Sequence, residues 1–349
     1  MHGTVFFFDW EVSLMEWLQN SLHPSVLRIV SAFSFFGEEL LMIFIVGFLY
    51  WCYNKRLGKY VALNLLIAGV CMSFIKNIFV RRRPYFDNKK IQMLRPVDPT
   101  ADIYDITSQG FSFPSGHSTL SVSLFGAIAI ATKTKILKVL AVLLPLLVGF
   151  SRILVGAHYP TDVLAGYALG SLVLFTIFAL MPPVPTPCHT EPSIQATDTN
   201  AKSTDTYDRA EINHSKKTLR REQILAIACL GIFSCGLFFC NSADYFSAYG
   251  LLLGYCCASF FEEHFVKFTN TSNIPIIVMR LLLGGILYLA LNYCLKLPFS
   301  PEFLASATRQ AFLIRACRYT IIAFVEFGLY PLAFKPLDKI YNQFFTRTK

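Results

Sequence analysis

VLAVLLPLLVGFSRILVGAHYPTDVLAGYALGSLVLFTIFALMP, residues 139–182, sets two apolar runs on either side of a polar knot. Each run, 139–157 and 163–182, approaches the ~20 apolar residues that a helix needs to cross a bilayer. Between them Ser151, Arg152, His158 and Asp162 gather in one short stretch. Two crossing helices joined by a tight turn place that knot at one membrane surface. The whole chain extends this reading. Of 349 residues, 54% are hydrophobic and 15% charged, and the mean hydropathy is +0.49. A soluble domain carries ~25% charged residues, so a soluble globular chain is excluded. The expected fold is all-α, a polytopic transmembrane helical bundle. The net charge of +9 marks cytoplasmic loops in such a protein, not nucleic-acid binding.

Working outward, further apolar stretches lie at about 39–54, 60–80 and 117–132 before this region, and at about 222–240, 245–261, 275–295 and 310–334 after it. That makes about nine spans, five and then four. Residues 1–37 mix Trp10 and Trp17 with Glu11 and Glu16 and have no run of spanning length, so they read as an interfacial or re-entrant segment. Residues 183–221 are polar and rich in Pro, Thr and Asp, the composition of a flexible linker. The expected organisation is therefore 1–37, a catalytic membrane domain at 38–182, the linker at 183–221, and a C-terminal bundle at 222–349. With every chemical motif before the linker, the halves are expected to be separable near Ala201. Lys55, Arg56 and Lys59, Lys133 to Lys138, and the linker lysines fall on one side by alternation, which assigns them to the cytoplasm. The ten cysteines lack metal-ligand spacing and read as small buried hydrophobes. No basic n-region precedes an apolar run, so a removable signal peptide is not expected.

Three segments meet on the other face. In KNIFVRRRP, Lys76 and Arg83 stand two helical turns apart on one helix face, and Pro84 ends that helix. Arg81 and Arg82 point elsewhere and read as lipid-headgroup anchors. In FSFPSGHSTL, a helix opens after Pro114, Ser115 and Gly116, so free backbone N–H groups face an anion and the Ser115 hydroxyl donates to it. An ordinary serine N-cap explains this segment equally well. In SRILVGAHYPTD, Arg152 ends one span, Pro160 starts the next, and Asp162 in its first turn accepts from His158. A histidine oriented by a carboxylate is an activated nucleophile.

These segments resemble the three signature motifs of the type 2 phosphatidic acid phosphatase (PAP2) superfamily: K-x6-R-P, P-S-G-H and S-R-x5-H-x3-D. The resemblance covers about residues 38–182. Some bacterial members carry a similar apolar C-terminal extension. The family implies a core of five or six spans and metal-independent hydrolysis of a phosphate ester or anhydride, without a cofactor. It also implies a phosphohistidine intermediate and a site facing away from the cytoplasm. Carried over by position, His158 is the nucleophile, Asp162 fixes its tautomer, and His117 is the general acid. Lys76, Arg83 and Arg152 bind the phosphoryl oxygens, with Ser115 and Gly116 completing the cradle.

The expected substrate is a membrane lipid phosphate: a polyprenyl diphosphate such as undecaprenyl diphosphate, phosphatidic acid, phosphatidylglycerol phosphate or a sphingoid phosphate. The expected place is the cell membrane. Two other readings use the same residues. A phosphotransferase passes the group to an acceptor other than water. A lipid-phosphate binding or transport protein needs the cations but no nucleophile. The loop at 85–113 is expected to lid the site. The charged residues of the last four spans, Glu262, Glu263, Arg280, Arg315, Arg318 and Glu326, are expected to pair between helices or snorkel.

Overall fold

The computed structural model describes residues 3–98, 100–132, 134–183 and 220–345. Nearly all of the expected linker lies outside these residues. The helices run in this order: α1 Asp9–Ser21, α2 Pro24–Ala32, α3 Glu39–Gly47, α4 Lys55–Phe79, α5 Gly116–Ala131, α6 Lys135–Leu154 and α7 Pro160–Leu180. The second half has α8 Arg220–Phe239, α9 Ala243–Phe261, α10 Ile274–Cys294, α11 Arg309–Phe324 and α12 Phe334–Phe345. Among the described residues the only bridge between extended strands joins Thr4 to Arg81. The protein is an all-α membrane bundle.

Each of the nine apolar stretches forms a helix, but only five are long and apolar enough to cross a bilayer alone: α4, α6, α7, α8 and α10. α2, extended by the 3-10 turn Phe33–Gly37, and α3, extended by the π turn Phe48–Tyr53, form a sixth candidate bent by 46°. The N-terminal segment thus contributes half of a broken helix pair. The 16 residues of α5 span only ~24 Å at 1.5 Å each, short of the ~30 Å hydrocarbon core. α5 is instead enclosed by protein, packing against α4, α6 and α7. Close approach to α7 depends on Gly166 and Gly170, where a Cβ would lie 2.8 Å from the Ser115 carbonyl oxygen and 2.6 Å from that of Thr119.

The two halves are not separate bodies, contrary to the expected separability. One continuous apolar core joins Leu63 and Val70 of α4, Leu124 of α5 and Leu174 of α7 to Phe246, Leu252 and Tyr255 of α9. At the end remote from the catalytic motifs, Lys55 Nζ meets Glu262 at 2.6 Å, and Lys59 Nζ meets Glu263 at 2.9 Å and Glu262 at 3.4 Å. Lys59 is only 3% exposed, so it is no free loop charge. Glu263 also accepts from Gln223 on α8, and Tyr255 bonds Glu222. Removing one member of a buried pair costs about 3–5 kcal/mol, so this cluster ties α4 to α8 and α9 firmly.

Most other second-half charges pair as expected. Arg280 holds Asp338 at 2.8 Å and the Trp51 carbonyl at 2.9 Å; Arg315 bonds Ser247 and Arg318 bonds Asn292. Glu326 differs, since neither carboxylate oxygen has a hydrogen-bond partner among the described residues. The described cysteines are unpaired, but Cys235, Cys257, Cys294 and Cys317 are exposed on the helix surfaces instead of buried.

Candidate active site

α4 does not continue to Pro84. It ends at Phe79, and Val80 adopts a left-handed conformation (φ 44°) whose N–H closes on the Lys76 carbonyl. That conformation strains a β-branched residue. Arg83 is therefore reached through an extended segment bridged to Thr4, not along a helix face, and Pro84 starts the short turn Pro84–Asp87. The spacing of Lys76 and Arg83 works because the chain turns, and both side chains still line one cavity.

That cavity, about 1040 Å³, is lined by Lys76, Arg83, Gly116, His117, Arg152 and His158. All three cations are nearly buried. Arg83 spends its donors on carbonyl oxygens: Nε on Gln109 (2.9 Å) and Gly110 (3.1 Å), Nη1 on Ala157 (3.0 Å). Among the described residues Arg152 reaches only the Ser34 hydroxyl, at 3.4 Å, and its Nε has no partner. Among the described residues Lys76 has one carboxylate within 4 Å, Asp244 Oδ2 at 3.7 Å. Buried cations facing a cavity with so little counter-charge call for an anion.

His158 sits in the turn before α7. Its Nε2 lies 3.4 Å from Arg83 Nη1. A guanidinium only donates, so Nε2 is the accepting nitrogen and the proton belongs on Nδ1. Nδ1 faces Asp162 Oδ2 at 3.6 Å, longer than a hydrogen bond. Ser112 closes this gap: its hydroxyl bonds Asp162 and lies 3.4 Å from His158 Nδ1. Burial first, then the guanidinium of Arg83, holds the His158 imidazole well below its ordinary value and therefore neutral.

Asp162 is fixed from several sides. Its Oδ2 caps α7 by accepting from the Tyr159 N–H at 2.8 Å. Its Oδ1 accepts from Arg81 Nη1 at 2.6 Å. Arg81 is fully buried and also donates to Glu11 (2.9 Å), the Phe6 carbonyl (2.8 Å) and Thr161 (2.8 Å). Glu11 in turn accepts from the Thr161 N–H and hydroxyl. Arg81 is thus no headgroup anchor but a brace behind the Asp162 carboxylate. Arg82 points away and pairs with Asp87 at 3.0 Å. α1 delivers Glu11 to this network while leaving Trp10 and Trp17 exposed.

His117 occupies the first turn of α5, with Gly37 pressed against its ring. Gly116 lines the cavity. Ser115 does not: it is fully buried, and its hydroxyl accepts from Ser118 at 3.0 Å. The loop at 85–113 contributes Val97, Asp98 and Gln109 to the lining, and Arg95 pairs with Glu38 to hold the loop against the α2–α3 bend. Sequence reasoning missed Arg81 as a brace, and it gave no role to Ser112, Glu11, Gly37 or Asp244. Only Glu11 left a trace, as an acidic residue in an otherwise aromatic segment.

Several known proteins are similar to this chain. Residues 57–184 match the PAP2 superfamily profile, and residues 246–342 match the profile described as PAP2 superfamily phosphatase, transmembrane extension. The chain is 31% identical over 122 residues to an undecaprenyl-diphosphatase of Sulfolobus acidocaldarius, covering 35% of this chain and 54% of that protein. It is 30% identical over 168 residues to a decaprenylphosphoryl-5-phosphoribose phosphatase of Mycobacterium tuberculosis, covering 47% of this chain and 86% of that protein. The crystal structure of Aquifex aeolicus LpxE superposes with a TM-score of 0.42 at 21% identity, over 49% of this chain and 96% of that one. The chain spans about half the length of the first curated relatives it matches. The reach of the second of these relatives, together with the two profiles, places the chain in a family: it belongs to the PAP2 superfamily.

Proposed function

We propose that the protein hydrolyses the phosphate ester or anhydride of a membrane lipid through a phosphohistidine at His158. The observation that carries this is His158 itself: a neutral imidazole with Nε2 as its unprotonated nitrogen, 3.4 Å from Arg83 Nη1, lining the same cavity as the three buried cations. In the first step Nε2 attacks phosphorus, the bond from phosphorus to the leaving oxygen breaks, and His117, protonated once the anionic substrate offsets the neighbouring cations, gives that oxygen a proton. In the second, His117 takes a proton from water, the water oxygen attacks phosphorus, and the P–N bond breaks to release phosphate. Lys76, Arg83, Arg152 and the Gly116 N–H hold the phosphoryl oxygens as their charge builds. Asp162, braced by Arg81 and bridged by Ser112, keeps the proton on Nδ1. The three cations supply the charge neutralisation for which many phosphatases use a metal ion.

Relatives named for polyprenyl and lipid phosphates support a lipid substrate, as does the membrane bundle itself. The lysine and arginine distribution supports a site on the non-cytoplasmic face of the cell membrane. The test is purified protein with a panel of lipid phosphates. His158→Ala should abolish phosphate release and the acid-labile phosphoenzyme, vanadate should inhibit, and EDTA should not. Substantial turnover in His158→Ala would overturn the mechanism.

A further inference from the structure

The cavity that holds the catalytic residues does not stop at them. It continues between the two halves, with Val46 and Gly47 of α3 on one wall and Leu281, Gly285 and Leu289 of α10 with Ile322 of α11 on the other. Its lining on α3 runs from Glu39 to Trp51, ~18 Å of helix at 1.5 Å per residue. That is about the depth of one leaflet, half of a hydrocarbon core of ~30 Å. Its charged groups gather at the two ends. Glu39, Asp244 and Arg315 lie at the mouth beside the catalytic residues, and the carboxyl of Glu326 closes the floor. The surface between them is mainly apolar, and α10 keeps it open: a Cβ built on Gly285 meets no atom within 4 Å.

We propose that this groove seats the hydrocarbon chain of the substrate, so that the C-terminal bundle is the second wall of the substrate site. The proposal rests on the reading of the site as a lipid phosphate phosphatase. The occupant is the substrate's own chain because phosphate site and groove are one continuous cavity. A lipid whose phosphate lies between Lys76, Arg83 and Arg152 has its first methylenes at the mouth. The volume exceeds what a phosphate alone requires and reaches the upper end of the ~300–1,000 Å³ range of ligand pockets. Leu289 on the open side of α10 is exposed, which leaves a lateral entrance from the bilayer. Moving a chain from lipid into this groove yields little hydrophobic gain, since lipid tails are already as apolar as leucine. The groove instead aligns the phosphate for attack, so its effect falls on kcat/KM for long-chain substrates.

The test uses the full-length protein. Gly285→Trp puts a large side chain into open space without a clash at its Cβ, and Gly285→Ala is the size control. Turnover of a dialkyl or polyprenyl phosphate is compared with that of a soluble aryl phosphate, and a diazirine-tailed lipid phosphate reports contact with α10 by photo-crosslinking. Gly285→Trp should lower kcat/KM for the long-chain substrate by about tenfold or more while leaving the aryl phosphate within about twofold. It should also abolish crosslinking to α10, with Gly285→Ala unchanged in every readout. Equal loss on both substrates, or no loss on either, overturns the groove. Leu289→Trp repeats the comparison if Gly285→Trp unfolds. Crosslinking to α10 in a parent protein that hydrolyses neither substrate would uphold the groove and reject the phosphatase reading. Hydrolysis of both without crosslinking would do the reverse.

Discussion

Gly37→Ala tests how His117 is aimed. The 3-10 turn Phe33–Gly37 lies so close to α5 that a Cβ on residue 37 would sit 2.8 Å from His117 Cδ2, 2.9 Å from its Cβ and 3.0 Å from Val148 Cγ1. Non-bonded carbons rest at about 3.5–4.0 Å, so the imidazole must retreat by roughly 0.7–1 Å. Val148 is fully buried and blocks the alternative shift. A misplacement of ~1 Å at a reacting group costs on the order of 100-fold in rate, or about 2.7 kcal/mol. The loss should not be uniform. A proton from His117 matters most for a poor leaving group, so a series of aryl phosphates of rising phenol pKa should show a growing deficit in kcat. The best leaving groups should react almost normally. The unfolding temperature in detergent is measured alongside. A native unfolding temperature with a deficit independent of leaving group would refute the assignment of His117 as general acid. No deficit at all would show that the turn yields and the ring does not.

Two further outcomes follow from the same network. Arg81→Met strands the buried carboxylates of Asp162 and Glu11, and loss of one partner of such a cluster costs about 3–5 kcal/mol; thermal unfolding should drop sharply, and adding Glu11→Gln should restore part of it without restoring turnover. If single and double variants unfold at the same temperature, Arg81 is not the brace. For His158, burial and then Arg83 depress the imidazole, so the folded protein stays unprotonated where the unfolded chain binds a proton, near pH 6.5. Its contribution to stability is therefore complete above that pH and is lost as pH falls below it, and the acid limb of kcat/KM, corrected for the substrate's own ionisation, should lie below pH 6.5. A limb at or above pH 6.5 would contradict the buried neutral imidazole.

The residues at the centre of the site were legible because their spacing is local. His158 and Asp162 share one turn, Gly116 and His117 open one helix, and apolar length marked where each helix lies. The braces were not legible, because each depends on a pairing that no local pattern encodes. Arg81 looks like one more basic residue at a helix end until Glu11, far earlier in the chain, and Asp162, far later, close around it. Ser112 stands in a loop where a hydroxyl carries no period. The end of α4 was also hidden, since valine at position 80 gives no hint of a left-handed turn. The division into two halves followed composition, which carries no sign of the core the halves share. A polar linker shows where the chain leaves the bundle, but not that α9 returns to pack along α4 and bring Asp244 to Lys76.

The ion-pair cluster of Lys55 and Lys59 with Glu262 and Glu263 also has a meaning in time. A chain is synthesised N-terminus first at roughly 5–20 residues per second. The glutamates follow the lysines by about 200 residues, so they arrive on the order of 10–40 s later at that pace. During the interval the lysines stand as bare positive charges, the form in which membrane insertion reads them. Once the second half arrives they are neutralised, and charges that the positive-inside bias would keep in the cytoplasm become the seam that closes the first helices onto the last. Glu262→Gln with Glu263→Gln should then leave the sidedness of loop 85–113 unchanged to an impermeant thiol reagent while lowering the unfolding temperature. An inverted loop would show that orientation waits for the seam. In that order the same two lysines are bare charges in the growing chain and a clasp in the finished protein.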